Sequence, residues 1–237
     1  MIYGIASYKR PECKTIDLLN SLGVGNDRIY VALQDESELE KYAAFHKGVT
    51  YVIRKADCAA GNRNTLIQRL PKPLVLLDDD LKAFVIRRNG QNFKRITTEA
   101  ELEMELEAVI AEARLNNCSL IGFSATENNM VARARPDFSY DVLLQGSMLI
   151  ALGETQFDEN WKMVEDYEIS LRIIHRNGHT IRANQISAIK PKNGTNEGGL
   201  HERYENNELP TWTKRLGMKY KEFKPNKMFT GGRVKFD

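Results

Sequence analysis

The run Leu74-Val75-Leu76-Leu77 ends abruptly in Asp78-Asp79-Asp80. Four consecutive apolar residues suit a strand buried on both faces, which requires a sheet covered by helices on each side. Three carboxylates at the end of such a strand require a counter-cation. In an extended segment side chains alternate, so Asp78 and Asp80 are expected on one face and Asp79 on the other. Carboxylate oxygens suit hard cations such as Mg2+ and Mn2+, which accept one or two protein carboxylates and leave other positions to water and substrate phosphates. A diphosphate substrate follows from that chemistry. A strand followed by a solvated acidic turn is the structural alternative.

The flanking sequence agrees with a parallel sheet. Ile2 to Ala6 reads as a strand, and Glu12 to Leu22 as a helix closed by Gly23. Arg28 to Leu33 and Val49 to Ile53 are strand candidates around a helix near Ser37 to Lys47, which Gly48 ends. Asn62 to Leu70 is expected to be a helix before Pro71. Thr98-Glu99-Ala100-Glu101 fits a capping box ahead of Leu102, Leu106, Val109, Ile110 and Ala113 at helical spacing. Ser119 to Ser124 and Val142 to Leu152 restore strand character, Asp166 to Asn177 reads as a helix ended by Gly178, and Lys190 to Asn207 as a loop. The alternation predicts an α/β chain with a mostly parallel central sheet flanked by helices. At 237 residues it suits one domain.

Charge is nearly balanced, with 34 Lys+Arg against 32 Asp+Glu, so the whole chain implies neither a nucleic-acid nor a membrane partner. The C-terminal stretch is different. From Thr211 to Phe236 eight Lys and Arg residues face only Glu222, with Trp212, Tyr220, Phe223, Phe229 and Phe236 interleaved. Lys and Arg neutralise phosphates and aromatic rings stack on exposed bases, so this tail suits DNA, but it equally suits a basic wrap that buries its aromatics on the domain. The chain opens on a core-like segment and has no apolar run of about 18 residues, so no membrane contact and a cytoplasmic location are expected. Cys13, Cys58 and Cys118 are too dispersed for a disulfide framework or a zinc site.

In open α/β sheets ligands bind beyond the carboxyl ends of the strands, where three clusters fall. Ser7-Tyr8-Lys9-Arg10-Pro11 offers hydroxyls, a ring for base stacking and two cations for phosphate. Gly61-Asn62-Arg63-Asn64 is expected to open a helix, whose free N–H groups favour an anion, with Arg63 adding a bidentate fork. Asp78, Asp79 and Asp80 are the third. Farther on, Glu165, Asp166 and Glu168 occupy a first helical turn, where acids complement the dipole, yet near a sugar-nucleotide site Asp166 suits a general base. Gly146 within Gln145-Gly146-Ser147 marks a close approach or a bulge. His201, after the glycine-bearing loop from Asn193 to Gly199, suits a metal ligand or a phosphate contact.

In this order, Ser-Tyr-Lys-Arg-Pro, Gly-Asn-Arg-Asn, the Asp triplet and Glu165-Asp166 resemble glycosyltransferases of the GT-A fold. The resemblance implies a nucleotide-sugar-binding half over residues 1–120 and an acceptor half over 121–237. It implies Mn2+ or Mg2+ held by Asp78, Asp80 and His201 against the donor diphosphate, with Ser7, Tyr8, Arg10, Asn62, Arg63 and Asp79 around the donor. It implies Glu165 and Asp166 as the catalytic acids of an inverting enzyme, Asp166 being the base. The Tyr-Lys-Arg-Pro opening and the close Lys224-Pro225-Asn226-Lys227-Met228-Phe229-Thr230-Gly231-Gly232-Arg233 resemble the TET-associated glycosyltransferases of bacteriophages. That implies transfer of a hexose from a nucleotide sugar, UDP-glucose favoured, to 5-hydroxymethylcytosine or a related pyrimidine in DNA. A nucleotidyltransferase, or an inactive DNA-binding module on the same scaffold, are the competing readings.

Overall fold

The computed structural model describes residues 1–55, 58–88, 90–126, 128–176, 178–191, 200–225 and 232–234. The loop from Asn193 to Gly199, Asn177, and Phe229 and Phe236 of the tail lie outside the described residues, as does most of the closing segment. The chain runs β1 (Ile2–Ala6), α1 (Lys14–Leu22), β2 (Ile29–Leu33), α2 (Leu39–Phe45), β3 (Thr50–Ile53), α3 (Ala59–Arg69) and β4 (Leu74–Asp78). It continues through β5 (Ala83–Ile86), β6 (Lys94–Arg95), α4 (Glu99–Leu115), β7 (Cys118–Ser124), α5 (Asn129–Arg133), β8 (Phe138–Tyr140) and β9 (Met148–Ala151). It ends with α6 (Glu165–His175), β10 (His179–Ile189), α7 (His201–Glu205), α8 (Leu209–Lys219), β11 (Phe223–Pro225) and β12 (Gly232–Val234).

Among the described residues ten strands form one sheet in the order β3-β2-β1-β4-β9-β7-β10-β5-β6, with β8 on β10. The pairs β2/β3, β1/β2, β1/β4 and β7/β10 are parallel. β9 is inserted antiparallel between β4 and β7, and β5 and β8 oppose β10. Following these pairings, β1 to β4, β6, β7 and β10 all point one way, so the sheet is mixed and mostly parallel as the alternating sequence predicts.

Alternation along β4 divides the core. Val75 and Leu77 join Ile16 and Leu19 of α1 and Leu102, Leu106 and Val109 of α4 on one face. Leu74 and Leu76 join Leu66 of α3 and Ile169 of α6 on the other. Each such burial contributes about 1.5–3 kcal/mol, enough to fix the strand between its helical layers. Gly23 takes φ 99° at the end of α1, and its N–H bonds the Asn20 carbonyl. The Thr98 hydroxyl accepts from the Glu101 N–H at 3.2 Å, capping α4 as the local pattern requires.

Two sequence expectations change, and one strand had not been anticipated. Only Met148 to Ala151 of the expected strand Val142 to Leu152 joins the sheet. The backbone before it bonds to α6 instead: Leu144 N–H donates to Ser170 Oγ at 3.0 Å and Gly146 N–H to Asp166 Oδ2 at 2.7 Å. The central strand β10 carries no clean apolar alternation because Thr180, Asn184 and Ser187 are buried on it. Their hydrogen bonds, to Val142 O, Pro136 O and Thr126 O, make that burial tolerable. Within the expected loop Lys190 to Asn207, residues 201–205 form α7. The tail beyond it is helical in α8, where Leu209 and Leu216 with Tyr220 and Phe223 pack on Trp161, Met163 and Leu171 in a third core. The Tyr220 and Phe223 rings are therefore unavailable for stacking on bases.

Candidate active site

The eleven residues to which the resemblance gives a role all line one cleft of about 940 Å3 at the carboxyl edge of the sheet. Ser7, Tyr8 and Arg10 follow β1, and Asp78 to Asp80 close β4. Asn62 and Arg63 project from α3, while Glu165 and Asp166 open α6 opposite them. His201 begins α7 on the far rim.

The aspartate triplet is held by α1. The Thr15 hydroxyl donates to the Asp78 carbonyl at 2.6 Å and accepts from the Leu81 N–H at 3.0 Å, while the Thr15 N–H meets the Asp79 carbonyl at 3.3 Å. β4 ends at Asp78, so the alternation expected for three extended residues does not extend to Asp79 and Asp80. The turn instead brings both to one guanidinium: Arg10 Nη1 lies 2.6 Å from Asp79 Oδ1 and 3.3 Å from Asp80 Oδ2. Asp79 is buried and also accepts from Ser7 Oγ at 2.6 Å, whose oxygen lies 2.7 Å from the Tyr42 hydroxyl. Burial raises the Asp79 pKa to about 6 against the pull of Arg10.

Asp78 sits between two cations. Arg63 Nη2 donates to Oδ1 at 3.0 Å and Lys190 Nζ to Oδ2 at 2.8 Å. Burial works to raise the Asp78 pKa, but Lys190 and Arg63 outweigh it and hold it below the usual value. Arg63 is 3% exposed, and besides Asp78 it bonds Glu165 and the Gly146 carbonyl at 3.0 Å. The expectation of an anion-gripping helix start therefore changes. α3 begins at Ala59, the Asn62 N–H is taken by the Cys58 carbonyl, and the Asn62 amide ties the Ser7 carbonyl at 2.9 Å. The arginine fork is spent on protein acceptors, joining α3, β4 and α6.

A Cβ on Gly146 would stand 2.7 Å from Arg63 Nη2, so the close approach inferred at this glycine is to a side chain. That guanidinium is pinned by three acceptors and cannot yield. Gly146→Ala is expected to cost about 1–3 kcal/mol of stability, read by chemical denaturation, with no loss of helical circular dichroism.

Asp166 faces the cleft from the first turn of α6, its oxygens accepting from Gly146 N–H at 2.7 Å and Tyr167 N–H at 2.9 Å. Burial first, and the adjacent Glu165 second, raise its pKa to about 7, against the opposing pull of Arg63 and the two N–H groups. Val164, just before it, is held at φ 55°, a left-handed conformation costly for a β-branched residue. The sequence reading missed Lys190 and Tyr204. Lys190 follows β10, which was itself not legible, and Tyr204 lies on α7, where burial and Asp166 raise its phenol to about 12.

Five carboxylates (Asp78, Asp79, Asp80, Glu165, Asp166) thus meet three cations (Arg10, Arg63, Lys190) in the inner cleft. The surplus of negative charge and the hard oxygen donors fit a divalent cation. Among the described residues no three His, Cys, Asp or Glu gather tightly enough to hold one unaided. His201 Nε2 lies 3.2 Å from Glu205 Oε1. The fit is therefore to a cation that draws the rest of its shell from water and a phosphate ligand.

This α/β fold also occurs in a sugar-transferring enzyme. It is shared with the mannosyltransferase PcManGT from Pyrobaculum calidifontis in complex with GDP-Man and Mn2+, at TM-score 0.57 and 11% identity, covering 95% of this chain and 65% of that one. The chain belongs to the TET-associated glycosyltransferase family, which it matches over residues 6–199. Mannose-1-phosphate geranyltransferase from Thermus thermophilus aligns at TM-score 0.36 and 14% identity over 92% of this chain and 63% of that one, too distant to argue from. No curated protein sequence matches the chain. Among the described residues no helix is long and apolar enough to cross a membrane.

Proposed function

We propose that this chain is a metal-dependent glycosyltransferase that moves a hexose from a nucleoside-diphosphate donor, uridine favoured, to the hydroxyl of a 5-hydroxymethylated pyrimidine in DNA, with inversion. The observation that carries the reading is the opposition of two acidic groups across one cleft: the turn at Asp78 to Asp80 on the β4 side and Asp166 on α6. In it, residues 1–120 serve the donor and 121–237 the acceptor. Ser7, Tyr8 and Arg10 bind the nucleotide, and Asn62 and Arg63 shape its floor.

Asp78 and Asp80, with His201 closing from α7, would hold Mn2+ or Mg2+, which when bound offsets the charge that grows on a departing diphosphate. Lys190 adds a fixed positive charge beside Asp78. Asp166 takes the proton of the acceptor hydroxyl as that oxygen forms its bond to the anomeric carbon and the diphosphate leaves with the bonding electron pair. A pKa near 7 suits this task, because the carboxylate is then basic enough to accept the proton and still ionised at neutral pH. Glu165 is bonded to Arg63 and orients it. The three cysteines are buried thiols, compatible with a reducing cytoplasm.

The test is thermal stabilisation by nucleoside diphosphates, triphosphates and sugar nucleotides with and without Mn2+. One nucleoside diphosphate or its sugar conjugate is expected to stabilise the protein in a Mn2+-dependent way, by about 2.7 kcal/mol at a hundredfold excess over Kd. Asp80→Asn is expected to abolish that dependence while retaining the fold. Preference for a triphosphate, with pyrophosphate released on turnover, would instead identify a nucleotidyltransferase.

A further inference from the structure

β7 runs in the same direction as β4, so the chain leaving Ser124 emerges on the rim that carries the aspartates. There Ser187 Oγ holds the Thr126 carbonyl at 2.7 Å, and α5 is anchored by the Phe93 N–H on Asn129 Oδ1 at 2.8 Å. This short helix presents its apolar side chains outward: Met130 is 83% exposed and Val131 39%. Arg133 closes it and Arg135 follows two residues on.

Among the described residues the arginines at and beside α5 bond neutral groups. Arg133 Nη2 donates to a neutral amide, Asn92 Oδ1, at 2.7 Å. Arg182, half-buried on β10, likewise donates through Nε to Asn184 Oδ1 at 2.8 Å. Asn184 in turn grips the Pro136 carbonyl at 2.9 Å and Ser139 Oγ at 2.8 Å, which fixes the segment after Arg135 beside Arg182. Asp137, the nearby acid, is taken by Arg87 at 3.0 Å. Among the described residues no carboxylate pairs with Arg133, Arg135 or Arg182. Burial and then the Arg135 charge lower the Arg182 pKa, the sign of a cation desolvated beside a like charge.

We propose that Arg133, Arg135 and Arg182, with the apolar tip of α5, form the surface that holds the phosphodiester backbone of the acceptor DNA beside the cleft. Guanidinium forks match phosphate bidentately, and a held but unneutralised arginine set is completed by an anion. An exposed Met-Val tip beside Arg133 suits insertion at a base step, which loosens the stack so that a base can be turned out toward an enclosed site. The inference rests on the DNA-acceptor reading and puts the contact at the β7–β8 connection rather than at the C-terminal tail, which by sequence suits DNA and a wrap on the domain equally.

The experiment measures binding of a short fluorescent duplex bearing hydroxymethylcytosine across a salt series, alongside stabilisation by nucleoside diphosphate with Mn2+. Arg133→Ala/Arg135→Ala is expected to weaken duplex binding about tenfold or more and to flatten the log–log salt slope by about 2, leaving nucleotide stabilisation unchanged. Lys41→Ala/Lys47→Ala removes the same charge near β3, at the far end of the sheet, and is expected to leave the slope unchanged. Equal effects of the two double variants, or no effect of either, overturns the surface even where the nucleotide binds. Selective loss in the first variant supports it even where no nucleotide binds, in which case the transferase reading alone falls. Binding of anionic phosphatidylserine vesicles without duplex binding assigns the arginines to a membrane and overturns the proposal.

Discussion

Arg63→Leu is expected to destabilise the protein by about 3–5 kcal/mol and to abolish transfer. The guanidinium is buried, and its donors meet Glu165, Asp78 and the Gly146 carbonyl. Leucine keeps apolar bulk near the helix but stops short of the guanidinium carbon, which lies 5.6 Å from the Phe157 ring, and it would leave Glu165 without its cation and Asp78 with Lys190 alone. An anion stripped of its partner in a buried site is costly, and it responds by taking up a proton. The sign with pH follows. In the wild type the depressed Asp78 pKa contributes stability that is present above the unfolded value and lost as pH falls through the folded one. The variant lacks part of that contribution, so its deficit should be greatest at neutral pH and shrink toward acid. Urea denaturation of both proteins at pH 7 and at about pH 3, below the ordinary aspartate value of about 3.9, measures this, and a deficit unchanged between them would show that Arg63 acts through packing alone.

Asp166→Asn is expected to lower kcat by about 10²–10⁴, the usual worth of a general base, with donor binding and fold retained. In the wild type, kcat/KM should rise with pH and level off above about 7, because only the ionised carboxylate accepts a proton. Stability moves the other way. Burial makes ionising Asp166 harder in the folded state, so the native protein holds that proton between the ordinary carboxylate range and about pH 7 while the unfolded chain has released it. This group's contribution therefore falls as pH rises through that window. The asparagine variant cannot ionise, so the stability difference between variant and wild type should shift in the variant's favour from pH 4 to pH 7. Full turnover by the variant would remove Asp166 from the base role.

The strain at Val164 and the cost of an ionised Asp166 lie in the same turn. Both persist because α6 is fixed by its other side: Glu168, fully buried, bonds Arg172, Lys219 and the Tyr220 hydroxyl, tying α6 to α8. The basic aromatic stretch, which by sequence suits either DNA or a wrap on the domain, thus has a structural task over its described part. It clamps the helix that carries Asp166.

The sequence by itself determined the parts of this protein that depend on neighbours in the chain. β1 to β4 and α1 to α4 were legible because apolar periodicity, Gly23 and the Thr98 cap act within a few residues. The acidic turn was legible because three adjacent carboxylates after a buried strand have few physical explanations. What only the tertiary structure decided was set by pairs far apart in sequence. Arg63 meets Glu165 across 102 positions and Lys190 meets Asp78 across 112, and no local signal encodes either pairing. β10 escaped because its buried Thr180, Asn184 and Ser187 break the apolar alternation, and their partners are carbonyls that only the folded sheet brings near. Arg63 itself shows the division. Its type and its place on a helix beside the acidic turn are in the sequence, but whether its fork faces a phosphate or two carboxylates is fixed by where α6 docks.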